Sequence, residues 1–142
     1  MDKLLVSACL LGTPCRYDGK SKADARVCAL GGRYELIPVC PERDGGLPTP
    51  RTPSERQGER VVTEDGRDVT AEYMRGAELA LARCIECGCR AAVLKERSPS
   101  CGCGAIYDGA FSRTLIPGDG VTAEKLKSHG IRVYGESAAD TL

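Results

Sequence analysis

The stretch LLVSAC, residues 4–9, sets the reading of the whole chain: a short apolar run that ends on a thiol. The pattern returns in YELIPVC at 34–40, and a third apolar run, AAVLKE at 91–96, leads into the loop SPSC at 98–101. A fourth run, IRVYG at 131–135, completes the series. Short runs of this kind, rich in Val and Ile and bounded by Gly or Pro, read as buried strands.

Helical patterns separate them. SKADARVCALGG, 21–32, starts on Ser21 as an N-cap and stops at Gly31 and Gly32; VTAEKLKSHG, 121–130, runs from a Thr122 cap to Gly130. TAEYMRGAELALARCIECG, 70–88, takes Thr70 as its cap and Gly88 as its stop, with Tyr73, Met74, Ala77, Leu79, Ala80 and Leu81 on one broad apolar face. Strands alternating with helices predict a single α/β domain over residues 1–142, an open, mostly parallel, Rossmann-like sheet flanked by helices. Pro38 cannot donate to a ladder, which predicts that the second strand lies at a sheet edge. The Pro/Gly-rich insertion 44–59 reads as irregular, and RVVTEDGRDVT, 60–70, as a small hairpin turning at Asp65-Gly66.

Composition narrows the function. Lys plus Arg number 20 and Asp plus Glu number 20, so zero net charge gives no bulk pull toward nucleic-acid phosphate or an anionic membrane. Nine cysteines, an odd number, fit a complete disulfide framework poorly. The opening MDKLLVSACLLG imitates a lipoprotein cleavage box around Cys9, but its apolar stretch falls short of a secretory signal, and no run approaches a membrane span. These features predict a cytoplasmic protein, where clustered thiols serve metal binding or catalysis.

The map gives the thiols a destination. Cys9 follows the first strand, Cys40 the second, and Cys101 lies in the loop after the third. Parallel strands deliver these ends to one edge, where open α/β sheets bind ligands. Three converging thiolates suit a soft metal, either zinc or an iron–sulfur cluster; zinc sites commonly draw on tight C-x2-C pairs, and a cluster held by three thiols keeps a free coordination position. Glu42, two residues past Cys40, is a candidate general base. Ser98 lies three residues before Cys101, and Ser7, Ser100 and Arg51 occupy the same loops, as candidate substrate contacts.

SACLLG at 7–12, RYDG at 16–19, PVCPE at 38–42, GGLPTPR at 45–51, SPSCG at 98–102, IYDG at 106–109 and GDGVTA at 118–123 together resemble the thiouracil desulfidase family of small bacterial proteins. The resemblance implies an α/β fold and non-redox removal of sulfur from thiolated pyrimidines such as 2-thiouracil, with release of hydrogen sulfide. It implies a [4Fe–4S] cluster on Cys9, Cys40 and Cys101, with Glu42 and Ser98 as catalytic residues. The substrate would be a small thiolated nucleobase or nucleoside, with neutral charge leaning against transfer RNA. The alternative is a zinc- or cluster-binding module without turnover, a sensor or sulfur carrier. Cys84, Cys87, Cys89 and Cys103 stand outside the family's pattern, and Cys15 and Cys28 read as a loop thiol and a helix-face thiol.

Overall fold

A computed structural model describes residues 1–142. Strand β1 (Asp2–Ser7) runs into a 3-10 turn, Ala8–Leu11, followed by helix α1 (Ala25–Ala29), strand β2 (Tyr34–Val39) and the short helix α2 (Pro41–Asp44). A hairpin, β3 (Ser54–Gln57) and β4 (Arg60–Thr63), precedes the long helix α3 (Thr70–Cys87) and strand β5 (Ala91–Leu94). Strands β6 (Ala105–Tyr107) and β7 (Leu115–Pro117), helix α4 (Val121–Ser128), strand β8 (Arg132–Gly135) and a terminal 3-10 turn, Glu136–Thr141, complete the chain.

The central sheet has the order β2-β1-β5-β8 and is parallel throughout. The expected edge strand is β2, with Pro38 within it. Leu4, Leu5 and Val6 of β1 are fully buried, because β1 lies inside the sheet with helices over both faces. Burial of each such side chain is worth about 1.5–3 kcal/mol. Leu4, Val6 and Val93 face Val27, Leu30 and Ala139; Leu5, Ala92 and Leu94 face Leu81 and Cys84 of α3 and Leu126 of α4. Alternation along the strands thus feeds two cores, one on each side of the sheet. No helix is long and apolar enough to cross a membrane.

Ser7 stands opposite Val39 and Leu94 opposite Gly135, so the carboxyl ends of all four strands lie along one edge. The chain leaves β1 for β2 on one side and later adds β5 and β8 on the other. That reversal opens a crevice between the ends of β1 and β5, the usual ligand position in open α/β sheets.

Several local expectations need correction. Helix α1 is capped by Asp24, whose Oδ1 accepts from the amides of Arg26 at 2.9 Å and Val27 at 3.3 Å, not by Ser21. The amides of Lys22 and Asp24 instead donate to the carbonyls of Cys9 and Leu10, which holds this stretch extended. Thr70 does not cap α3; its Oγ1 accepts from Val61 N at 2.9 Å, tying the helix start to β4. Thr122 lies inside α4, with Gly120 at the N-cap position. Gly88 does end α3, in the left-handed conformation at φ 73°. The insertion 44–59 is not wholly irregular, since Ser54–Gln57 pairs with Arg60–Thr63 in an antiparallel ladder that turns at Gly58 and Glu59. Asp65-Gly66 makes a second tight turn, closed by Thr63 N to Arg67 O and by a bridge from Val62 to Asp68. Strand pairing across the hairpin overrides a weak local signal. Strands β6 and β7 form a further antiparallel ladder, Ala105–Tyr107 against Leu115–Pro117, with no apolar alternation in the sequence to mark it.

Candidate functional site

Each thiol at the carboxyl edge is placed by its own local device. Cys9 lies in the 3-10 turn after β1, which closes on Gly12 at φ 101°, a left-handed conformation suited to glycine. Cys40 enters α2, where Pro41 takes the first helical position and forfeits no hydrogen bond. Cys101 sits in a turn organised by Ser98, whose Oγ accepts from the amides of Ser100 and Cys101 at 3.1 Å each. The start of α4 braces this turn from behind: Val121 N donates to Pro99 O at 2.9 Å and Thr122 N to Ser100 O at 2.7 Å. A side chain at Gly120 would collide with the backbone of Ser100, so GDGVTA works as a clamp on SPSCG.

Helix α2 rests on α3 through a glycine on each side. A Cβ on Gly45 would strike the carbonyl of Glu72, and one on Gly76 would strike the carbonyl of Pro41. This contact fixes the segment that carries both Cys40 and Glu42.

Cys9, Cys40 and Cys101 are all buried, and all three line one cavity of about 630 Å³ with Glu42, Ser7 and Ser98 on its wall. A fourth thiol, Cys15, also lines it, and lies within hydrogen-bonding reach of both Cys9 and Cys40. Along the sequence it is only a loop thiol; the turn after β1 folds it back against the first and second strand ends. Cys40 is raised far above the ordinary thiol range by its hydrogen bond to Cys15 and by burial. Cys101 is pushed up to about 12 by burial and then by the negative charge of Glu42. For Cys15 the bond to Cys40 pulls the value down, but its bond to Cys9 and burial outweigh that and leave it raised. Burial and mutual contact thus favour the protonated form of Cys15, Cys40 and Cys101.

Glu42 is held by one oxygen. Arg51 Nη2 and Tyr73 OH both donate to its Oε2, each at 3.1 Å, while Oε1 has no protein partner. Arg51 also donates to the carbonyls of Cys15 at 3.2 Å and Pro48 at 3.3 Å, and to Thr49 Oγ1 at 3.2 Å. Its buried Nε has no partner. The four bonds to protein make Arg51 a clamp between the Cys15 loop and Glu42, a role its place in the sequence did not suggest. Tyr73, expected on the apolar face of α3, reaches the site through its hydroxyl, and burial followed by the charge of Glu42 keeps that phenol protonated.

The serines divide. Ser98 lines the cavity and spends its lone pairs on two amides, which leaves its own O–H proton free to donate. Ser7 Oγ accepts from Lys95 N at 2.9 Å, stitching the end of β1 to the chain leaving β5, and its hydroxyl stands beside Cys101. Ser100 does not reach the cavity wall: it is fully buried, with its Oγ 2.8 Å from Thr122 Oγ1. Cys84 and Cys89 meet at the C-terminus of α3, before β5 begins and so at the other end of the sheet, and Cys103 Sγ points to Val133 O at 3.3 Å. His129 forms the C-cap of α4, with Nδ1 3.1 Å from Lys125 O.

The donor set speaks to the choice of metal. Buried thiols spread around a cavity, delivered by three separate segments, suit a larger metal–sulfide core whose ligands stand on different irons. These residues fit a cluster.

An open parallel α/β sheet with a thiol-lined crevice at its switch point and a carboxylate beside it defines a protein built to hold a soft metal centre next to a reactive pocket. The match to the 2-thiouracil desulfurase family model covers residues 4–138, and the chain belongs to that family. Among solved structures it resembles the [4Fe–4S]-dependent thiouracil desulfidase TudS, at 54% identity and a TM-score of 0.95, over 100% of this chain and 95% of that one. It is also 44% identical to the uncharacterized protein YbbK of Bacillus subtilis (strain 168), over 98% of this chain and 99% of that protein.

Proposed function

We propose that this protein is a [4Fe–4S]-dependent desulfidase that exchanges the thiocarbonyl sulfur of a small thiolated pyrimidine such as 2-thiouracil for the oxygen of water. Thiouracil and water give uracil and hydrogen sulfide, so the net change is hydrolytic and moves no electrons. Cys9, Cys40 and Cys101 would hold the cluster, which supplies a soft Lewis-acid position for the thiocarbonyl sulfur.

The protein's own groups account for the proton traffic. Glu42 Oε1, free of protein donors, accepts a proton from the attacking water, while Oε2 stays anchored by Arg51 and Tyr73. The Ser98 hydroxyl, its lone pairs engaged by two amides, donates to a polar atom of the ring and orients it. Ser7, on the cavity wall, and Ser100, behind it, flank Cys101. Nine unpaired thiols support a reducing intracellular setting for this chemistry.

One observation carries the reading: a carboxylate with one pinned and one free oxygen shares a cavity with three buried thiols from three strand ends. A carrier or sensor has no need of that carboxylate. Anaerobically reconstituted protein incubated with 2-thiouracil should yield uracil and sulfide in equal amounts. Glu42→Gln should keep iron and bound thiouracil but turn over at only a small residual rate. A protein that takes up stoichiometric zinc without inorganic sulfide, or that binds thiouracil and never forms uracil, would overturn the proposal.

A further inference from the structure

The grip on Glu42 involves a group that no reading of the sequence singles out as functional. Tyr73 is 2% exposed, and its hydroxyl donates to Glu42 Oε2 from α3, while Arg51 Nη2 reaches the same oxygen from the loop after α2. A glutamate side chain has three rotatable torsions, and one bond leaves its carboxylate free to pivot. Two donors arriving on one oxygen from different elements remove that freedom. Arg51 reaches Glu42 through one N–H only, its other bonds going to the Cys15 and Pro48 carbonyls and Thr49, so it leaves the carboxylate able to pivot about that single contact.

The geometry of α3 makes the second bond dependable. Tyr73 and Gly76 are three residues apart and so share a helix face, and Gly76 is where the Pro41 carbonyl packs against α3. The backbone one residue before Glu42 is therefore fixed against the same helix that supplies the phenol.

We propose that Tyr73 is a positioning residue which, with Arg51, pins Oε2 of Glu42 and thereby presents Oε1 to the cavity as the proton acceptor. The proposal rests on Glu42 acting as the base. Tyr73 lines the cavity beside Glu42 and acts through that carboxylate.

Tyr73→Phe in the reconstituted holoprotein tests it, since the ring keeps its packing and only the hydroxyl is lost. Iron and sulfide content and KM for 2-thiouracil should stay at parental values, while kcat should fall about tenfold, the scale of a lost hydrogen bond to a charged group. In a Glu42→Gln background the same change should cost nothing further, because its whole effect runs through the carboxylate. A readout independent of turnover comes from infrared spectra of the metal-free protein: Glu42→Gln removes one carboxylate band, and Tyr73→Phe should shift that band.

Parental kcat in Tyr73→Phe, an unshifted band, or an undiminished effect in the Glu42→Gln background would each overturn the role of Tyr73 and leave the desulfidase reading standing. A parent protein that holds its cluster but forms no uracil would overturn both. Should Tyr73→Phe fail to fold, Tyr73→Met, which fills the space without a hydroxyl, decides: a loss of kcat that disappears in the Glu42→Gln background supports the clamp, and parental kcat refutes it.

Discussion

Gly76→Ala is the substitution that most sharply probes how the fold positions the site. Gly76 sits within α3, where alanine would ordinarily stabilise the helix by about 1 kcal/mol. Here the added Cβ would land on the Pro41 carbonyl, 2.6 Å from its carbon and 3.2 Å from Pro41 Cα. Carbon atoms pack at about 3.5–4.0 Å, so Pro41 must retreat by about 1 Å. Gly45 closes the opposite side of the contact, where its own Cβ would lie 3.0 Å from Gly76 N, so the two elements cannot interlock more deeply. Overpacking of this kind costs about 1–3 kcal/mol, which exceeds the propensity gain and leaves a net loss near 1 kcal/mol. A loss of that size lowers Tm by about 4 °C for a domain of this length. The functional effect should be far larger. Pro41 lies between Cys40 and Glu42, and a displacement of about 1 Å at reacting groups costs about 100-fold in rate. Thermal unfolding and steady-state uracil formation would be measured on the same reconstituted sample. A Gly76→Ala protein that is more stable than its parent and turns over at the parental rate would refute the reasoning.

Further outcomes follow from the same contacts. Cys15→Ala should retain iron and sulfide, since Cys15 is assigned to support of Cys9 and Cys40 and not to the ligand set; loss of the cluster would place it among the ligands. Thr122→Val leaves Ser100 Oγ buried without its partner and should cost about 1–3 kcal/mol in denaturant unfolding while loosening the Cys101 turn, and an unchanged midpoint would contradict that. Metal uptake must expel the protons of Cys40 and Cys101, both raised, so reconstitution should improve as pH rises and should acidify an unbuffered solution; proton release below the detection limit would argue against these ligands. Asp24→Ala should cost about 1 kcal/mol at neutral pH through the lost cap. The Asp24 carboxyl is lowered in the folded protein, chiefly by its bond to Arg26, so its contribution is present above the unfolded value and vanishes as pH falls through the folded one. The gap between variant and parent should close in acid.

Strand ends were the most legible feature of this chain. LLVSAC and YELIPVC carry β1 and β2 with Cys9 and Cys40 at their carboxyl ends, and Pro38 marked the sheet edge because a missing N–H is tolerated only there. Parallel strands bring Cys9 and Cys40 to one edge, whereas Cys101, beyond β5, also needs the Ser98 turn and the start of α4. The features that escaped depend on contacts between distant segments. Ser54–Gln57 has little strand character of its own and is held by β4. Asp24 displaced Ser21 as the cap because Lys22 and Asp24 are tied to the Cys9–Leu10 backbone. Cys15 looked ordinary in a loop until the turn after β1 brought it against two other thiols. Tyr73 fitted the apolar stripe of α3, and nothing in a helical period reveals that one hydroxyl reaches a carboxylate 31 residues away.

Metal content of single serine variants tests the central assignment most directly. The anaerobically reconstituted parent should hold about four irons and four acid-labile sulfides per chain, the content of one [4Fe–4S] centre. Cys9→Ser, Cys40→Ser and Cys101→Ser should each lose that content together with the brown colour, while Cys84→Ser and Cys103→Ser keep both. A full cluster in any one of the first three would remove that residue from the ligand set and contradict the convergence on which the account depends.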